Sequence, residues 1–167
     1  GGPGLEGLSE WWQRRRWRSP GRREHENLQD LAAIGLRVPR ALRFAEDDAA
    51  RRLLGRGGRS VCEMECVEHF EDARIALRNR DAAGQRRLIA SISGRVRGLH
   101  ARGWIHRDLY LQHCLIPAEG PDAVCLIDVG RARFRARPGR RWWVKDLAAL
   151  LLHAPDTVSR TARLRFL

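Results

Sequence analysis

The stretch Gly103-Trp104-Ile105-His106-Arg107-Asp108-Leu109-Tyr110-Leu111-Gln112-His113 decides how this chain is read. It follows a long amphipathic run and precedes two short apolar runs, Cys114-Leu115-Ile116 and Val124-Cys125-Leu126-Ile127. The second run ends in Ile127-Asp128-Val129-Gly130, so two aspartates, Asp108 and Asp128, lie twenty positions apart. One sits in a His-Arg-Asp turn and the other at a strand end just before a glycine.

Outward from that turn the elements are local and periodic. Leu88, Ile92, Val96 and Leu99 fall at i, i+4, i+8 and i+11, one face of a helix predicted over Asp81 to Arg102 and ended by Gly103. Pro117-Ala118-Glu119-Gly120-Pro121 separates the two apolar runs as the turn of a hairpin. Arg131 to Arg141 reads as a basic loop, and Trp143 to His153 as an apolar helix broken at Pro155. On the N-terminal side, Ser19 is an N-cap and Pro20 the first position of a helix running to about Ala33. Leu28, Leu31 and Ile34 form its stripe, and Gly35 terminates it. Val38 to Phe44 and Ser60 to Val67 read as strands about a turn rich in Gly55, Gly57 and Gly58, followed by an acidic linker around Glu68, Glu71 and Asp72. The order is α+β, with little strand content at the N-terminal end and no internal repeat.

The chain has 167 residues, enough for one domain and one core, and its 43% hydrophobic content is that of a folded protein. Residues 1–18 are a Gly-, Trp- and Arg-rich lead-in; residues 19–167 form the domain. No apolar run of about eighteen residues spans a membrane, and no basic-then-apolar leader opens the chain. Met64 is the only methionine and the chain opens Gly1-Gly2-Pro3-Gly4, as a fragment of a longer protein would. Cys62, Cys66, Cys114 and Cys125 show neither a CxxC pair nor zinc spacing and sit in apolar contexts, which predicts reduced thiols in a cytoplasmic setting. The net charge of +12 comes from arginine except for Lys145. That bias has two readings, a GC-rich coding sequence or contact with a phosphorylated or acidic partner. Charge without an aromatic–basic motif gives no reason to expect nucleic acid.

Phosphoryl transfer asks a protein for a hydroxyl held beside a base and a metal that screens the phosphates. Asp108, after a helix and a turn, is placed to take the proton of an attacking hydroxyl. Asp128, at the end of an apolar strand, is a hard oxygen ligand suited to Mg²⁺. Without the ordered helix, turn, hairpin and strand end, both would read as ordinary surface carboxylates.

These residues carry a resemblance. Residues 19–167 resemble the lipopolysaccharide kinase family, the Kdo and heptose kinases related to protein kinases. The resemblance rests on His106-Arg107-Asp108-Leu109-Tyr110-Leu111-Gln112-His113, with support from Ile127-Asp128-Val129-Gly130-Arg131-Ala132 and Val144-Lys145-Asp146-Leu147-Ala148. An ordinary protein kinase carries Lys at Tyr110 and Asn at His113; the Tyr and His forms point to this family. The resemblance implies a protein-kinase-like fold, a partial N-lobe plus most of a largely helical C-lobe. It also implies transfer of phosphate from ATP, with Mg²⁺, to a sugar hydroxyl of lipopolysaccharide core or a related glycolipid. Asp108 is then the catalytic base, Asp128 the principal metal ligand, and His113 stands where a second metal-binding Asn would. Imidazole is a poor Mg²⁺ ligand, so His113 either hydrogen-bonds near the metal and phosphates or packs under the loop. His106 and Arg107 organise the turn, and Asp146 accepts hydrogen bonds from its backbone or, more simply, favours its own helix. Glu24 shares the face of Leu28 and Leu31 and is implied to pair with a nucleotide-binding lysine; Glu26 is the weaker choice. The partners implied are a nucleotide, an anionic sugar or glycolipid acceptor, and the cytoplasmic surface of the inner membrane.

The family pattern asks for a lysine on a strand before the first helix, whereas Lys145, the sole lysine, follows both aspartates. Gly2, Gly4 and Gly7 fall at GxGxxG spacing, but Gly1 to Gly7 does not follow a strand pattern and is rejected as a phosphate loop. Two rival readings follow: a pseudokinase or truncated binding module, and a small-molecule phosphotransferase of the aminoglycoside or choline type. The short segment from Gly130 to Trp143, with arginines at 131, 133, 135, 137, 140 and 141, suits a small or anionic acceptor better than a peptide.

Overall fold

Ser19 caps the first helix as its sequence predicts: its hydroxyl accepts from the Arg22 backbone N–H at 3.2 Å, and Pro20 occupies the first turn, where it has no partner to lose. The structure is a computed structural model and describes residues 18–47, 59–118 and 123–164. All of the expected lead-in but Arg18, the Gly-rich turn at 51–58 and the hairpin tip at 119–122 lie outside those residues.

Helix α1 spans Pro20–Ala33 and buries Leu28 and Leu31. Its far end is followed by Gly35 at φ +78°, while Leu36 returns its N–H to the Leu31 carbonyl at 3.0 Å. Strands β1 (Ala41–Glu46) and β2 (Ser60–Met64) pair antiparallel and lie against α1. Strand β1 is shifted from the expected Val38–Phe44, starting three residues later and ending two later, and β2 stops at Met64 rather than Val67; a bulge lies between Ala41 and Arg43.

The acidic linker is in fact structured. Phe70–Asp72 forms β3, and Asp72 caps a helix α2, Ala73–Asn79, by accepting from the Ile75 N–H at 2.9 Å. Asp81 likewise caps the long helix α3, Ala82–Ala101. All four of its stripe residues, Leu88, Ile92, Val96 and Leu99, are buried in the core with Leu28, Leu31, Leu109, Ile116 and Val129. Each such side chain contributes about 2 kcal/mol by leaving water.

Three short sheets frame the turn. The two-residue strand β4 (Trp104–Ile105) pairs antiparallel with β7 (Arg133–Phe134), which lies inside the stretch expected as a basic loop. Strand β5 (Cys114–Pro117) lies between β3 and β6 (Cys125–Leu126), so the two expected runs pair antiparallel, the first a residue longer and the second two residues shorter than expected. Gly103 must be glycine: its φ is +78°, and a Cβ there would lie 2.6 Å from the Arg135 carbonyl oxygen. Helix α4 spans Arg140–Leu152 and a short α5 spans Arg160–Leu164. Cys114 and Cys125 are buried, and burial pushes the Cys114 thiol up to about 12; Cys62 is half-buried, and Cys66 is exposed despite the apolar context read for it.

Candidate active site

Two of the non-glycine residues with positive φ are Arg107 (+76°) and Asp128 (+55°), one in each motif. Such backbone costs free energy and persists only where its surroundings hold it. Asp146, on α4 and 1% exposed, holds the first: its Oδ1 accepts the Arg107 N–H at 2.8 Å and its Oδ2 the His106 N–H at 2.9 Å. His100 Nε2, from α3, lies 2.9 Å from the same Oδ2. Asp146 therefore ties α3, α4 and the turn together, as expected of it.

Asp128 is held from both sides. His106 Nε2 donates to the Ile127 carbonyl at 3.1 Å, and the Val129 N–H donates to Glu24 Oε1 at 3.0 Å. His106 is buried; desolvation, opposed by the nearby Asp146 charge, holds its imidazole below the ordinary value, so it sits neutral under the turn. Asn27, three residues after Glu24, donates from Nδ2 to the Val129 carbonyl at 2.7 Å and the Ala132 carbonyl at 3.2 Å. One face of α1 thus grips the Asp128–Ala132 turn. Gly130 lets it come so close, since a Cβ there would run into Glu24 Oε2. Burial, with the charge of Asp128, raises the Glu24 carboxyl above its usual range, against the opposing Val129 and Gly130 N–H groups. Among the described residues Glu24 has no ion pair; Glu26 pairs with Arg18 and Arg22 instead.

His113 joins the two motifs. It closes a 3-10 turn, Leu111–His113, and its Nδ1 donates to the Asp108 carbonyl at 2.8 Å. Its Nε2 lies 3.5 Å from Asp128 Oδ2. The Asp108 side chain is 11% exposed, and its Oδ1 accepts from Arg131 Nη1 at 2.8 Å. No described donor is placed on Oδ2. The Asp128 carboxylate is 55% exposed, open to a cation. The sequence reading named Asp108, Asp128, His113, His106, Arg107, Asp146 and Glu24, and all seven converge on this region. It missed Asn27, although a polar residue on the Glu24–Leu28–Leu31 face was a legible signal. It also did not single Arg131 out from the other arginines.

A paired turn and strand end, a helix carboxylate gripping the second motif and a buried aspartate under the first define a protein-kinase-like fold. The chain belongs to the lipopolysaccharide kinase (Kdo/WaaP) family, which matches residues 10–164. It is 36% identical over 89 residues to lipopolysaccharide core heptose(I) kinase WaaP of Pseudomonas aeruginosa, covering 50% of this chain and 33% of that protein. The Escherichia coli protein of the same description is 40% identical over 75 residues, 42% of this chain and 28% of that one. The matched stretches therefore span a third or less of these curated relatives. A solved structure, "WaaP in complex with acyl carrier protein", superposes with a TM-score of 0.71 at 26% identity, covering 87% of this chain and 64% of that one.

Proposed function

We propose that this chain carries the catalytic half of an ATP- and Mg²⁺-dependent kinase that phosphorylates a sugar hydroxyl of lipopolysaccharide core, the heptose named for its relatives, or a related glycolipid. The observation that supports the reading is the His113 bridge: its Nδ1 donates to the Asp108 backbone carbonyl at 2.8 Å and its Nε2 lies 3.5 Å from Asp128 Oδ2, so one imidazole links the two motifs. Asp108 is the base. Arg131 occupies Oδ1 and leaves Oδ2 to take the acceptor's proton.

Asp128 would hold Mg²⁺, which typically takes one or two carboxylates and completes its shell with phosphates and water. The exposed Asp128 carboxylate fits that role, and when bound the ion would screen charge between nucleotide and acceptor. His113 is the weaker ligand; its Nδ1 proton is committed to Asp108, and its Nε2 faces the metal side. Glu24 is assigned the family's lysine partner on the nucleotide side, while His106, Arg107 and Asp146 support the turn. The acyl carrier protein bound in the solved relative makes such a carrier a further partner to test, beside the inner membrane surface.

The test is ATP turnover with a heptose- or Kdo-containing glycolipid acceptor. Asp108→Ala and Asp128→Ala should each abolish it with the fold intact; turnover retained in both variants would sink the assignment. A second reading, a binding module without turnover, draws on Glu24: its carboxylate is engaged by the Val129 N–H, with no described cation beside it. Nucleotide binding without hydrolysis or transfer would favour that reading.

A further inference from the structure

Three arginines from three different elements converge beside the candidate site without a counter-ion. Arg23 lies on α1, Arg107 in the turn that carries Asp108, and Arg133 on β7. Pairing of β4 with β7 sets Arg133 opposite Ile105, two residues before Arg107. The Asn27 bonds to the Val129 and Ala132 carbonyls lay α1 along the residues just before Arg133. Arg23 precedes Asn27 by one turn and so shares that face.

All three arginines are half-buried, and among the described residues none has a carboxylate partner. Burial holds the Arg133 guanidinium below its ordinary value, and the charges of Arg23, Arg107 and Arg18 push it the same way. Arg18 is paired with Glu26; the other three are not. On the α4 side Arg107 meets only more positive charge. Its guanidinium carbon lies 5.8 Å from the Trp142 ring centroid, and Arg135, Arg141 and Lys145 share that ring at 5.0, 4.9 and 5.4 Å. A fold gathers like charge at a cost in stability, which a bound anion offsets.

One atom points to the size of that anion. Arg23 Nε is shut off from solvent and has no acceptor, and a buried donor left so is costly. An extended surface does not reach an enclosed atom, whereas a small ion taken in between the elements does. Phosphate suits it, because its oxygens match the planar fork of arginine and can be shared among several forks. The neighbouring loop cannot supply the group, since residues 130–143 hold no Ser, Thr or Tyr to carry it.

We infer that Arg23, Arg107 and Arg133 form a phosphate site, taking inorganic phosphate or the phosphate of a monoester. Arg23 directly precedes Glu24, Arg107 directly precedes Asp108, and Arg133 follows the Asp128–Ala132 turn. A phosphate held among them ties α1 to the catalytic turn and sets Glu24 against Asp108. That clamp rests on the kinase reading. Phosphate binding itself needs neither ATP nor acceptor, so its failure and failure of the kinase assay are separate results.

The experiment is calorimetric titration of the protein with inorganic phosphate at constant ionic strength, with melts in phosphate and in chloride alone. Arg23→Gln and Arg133→Gln should each weaken phosphate binding about tenfold, the loss of a hydrogen bond to a charged group. Arg86→Gln, at an exposed position on α3, should bind as the unaltered protein does. In chloride the two variants, each relieved of a repelled cation, should melt no lower than the unaltered protein; in phosphate they should melt below it. Arg133→Lys keeps the charge without the fork and should lie between, which serves if Arg133→Gln fails to fold. Glycerol phosphate that competes with inorganic phosphate supports the site and assigns it to a monoester; no competition assigns it to the free ion. The inference is overturned if the unaltered protein takes up no phosphate, or if both glutamine variants bind it as tightly. It is equally overturned if they melt lower by the same margin in both buffers, which would mark arginines that only hold the fold.

Discussion

Arg131 Nη1 donates to Asp108 Oδ1 at 2.8 Å, tying the residue just after the Asp128–Gly130 turn to the aspartate of the other motif. The arginine is largely exposed and the aspartate is not, so the pair orients the carboxylate rather than filling the core. Arg131→Ala should free Asp108 to rotate and, with Asp108 as the proposed base, cost about 10²-fold in kcat. Arg131→Lys should recover part of that loss, and the KM for ATP should change little in either variant. Steady-state kinetics of the three proteins would decide; a change confined to KM would contradict the orienting role.

Asp146→Ala leaves the His106 and Arg107 N–H groups and the His100 ring without their acceptor in a buried place. Each orphaned buried donor costs about 1–3 kcal/mol. The expected loss is about 3 kcal/mol, read from denaturant unfolding, with transfer activity lost as the Arg107 backbone relaxes. Asp146→Asn should lose less.

Glu24→Gln separates stability from activity. The carboxyl is raised above its usual range by burial and by Asp128, so the folded state holds a proton more readily than the unfolded chain. Stability from this group is present at acid pH and lost as pH rises through the folded value. At neutral pH the variant, with no charge to bury, should melt slightly higher than the unaltered protein. Its turnover should fall on the order of 10²-fold if Glu24 serves a cation on the nucleotide side. Thermal melts and ATP turnover on the same samples test both arms.

His106→Gln should flatten the pH dependence of stability. Burial holds the folded imidazole neutral, whereas in the unfolded chain it titrates near its ordinary value, about 6.5. Below that value the unfolded chain binds a proton that the folded one refuses, so melting temperature falls with pH in the unaltered protein. Glutamine can still donate to the Ile127 carbonyl but does not titrate. Melts from about pH 7 to about pH 5, across the range in which histidine ionises, should show a shallower slope for the variant.

Much of the fold was legible because it is local. The caps at Ser19 and Asp81, the α3 stripe and the helix stop at Gly103 depend on residues within a few positions of one another. What escaped was short and paired at a distance. Phe70–Asp72 is a strand only through its pairing with β5, and Arg133–Phe134 only through β4. Neither has the length to show a period of its own. The Asp72 cap was present in the sequence, but the stripe behind it, Ala73, Ala76 and Leu77, spans under two turns and is mostly alanine, too short and too small to stand out from an acidic run.

The sequence by itself determined which chemistry-bearing residues the chain holds and their order: Asp108 and His113 in one motif, Asp128 in the other, with Asp146 after them. A motif is contiguous, and its backbone preferences travel with it. Only the tertiary structure decided how those residues face one another. Glu24 and Asn27 reach the Asp128 turn across more than a hundred positions, and Arg131 reaches Asp108 across 23. Contacts at that separation form because burial of α1 and α3 in one core brings their polar neighbours into hydrogen-bonding range, which no local pattern encodes. The cations around Trp142 arise in the same way, from a turn, a strand and a helix that meet only after the chain has folded.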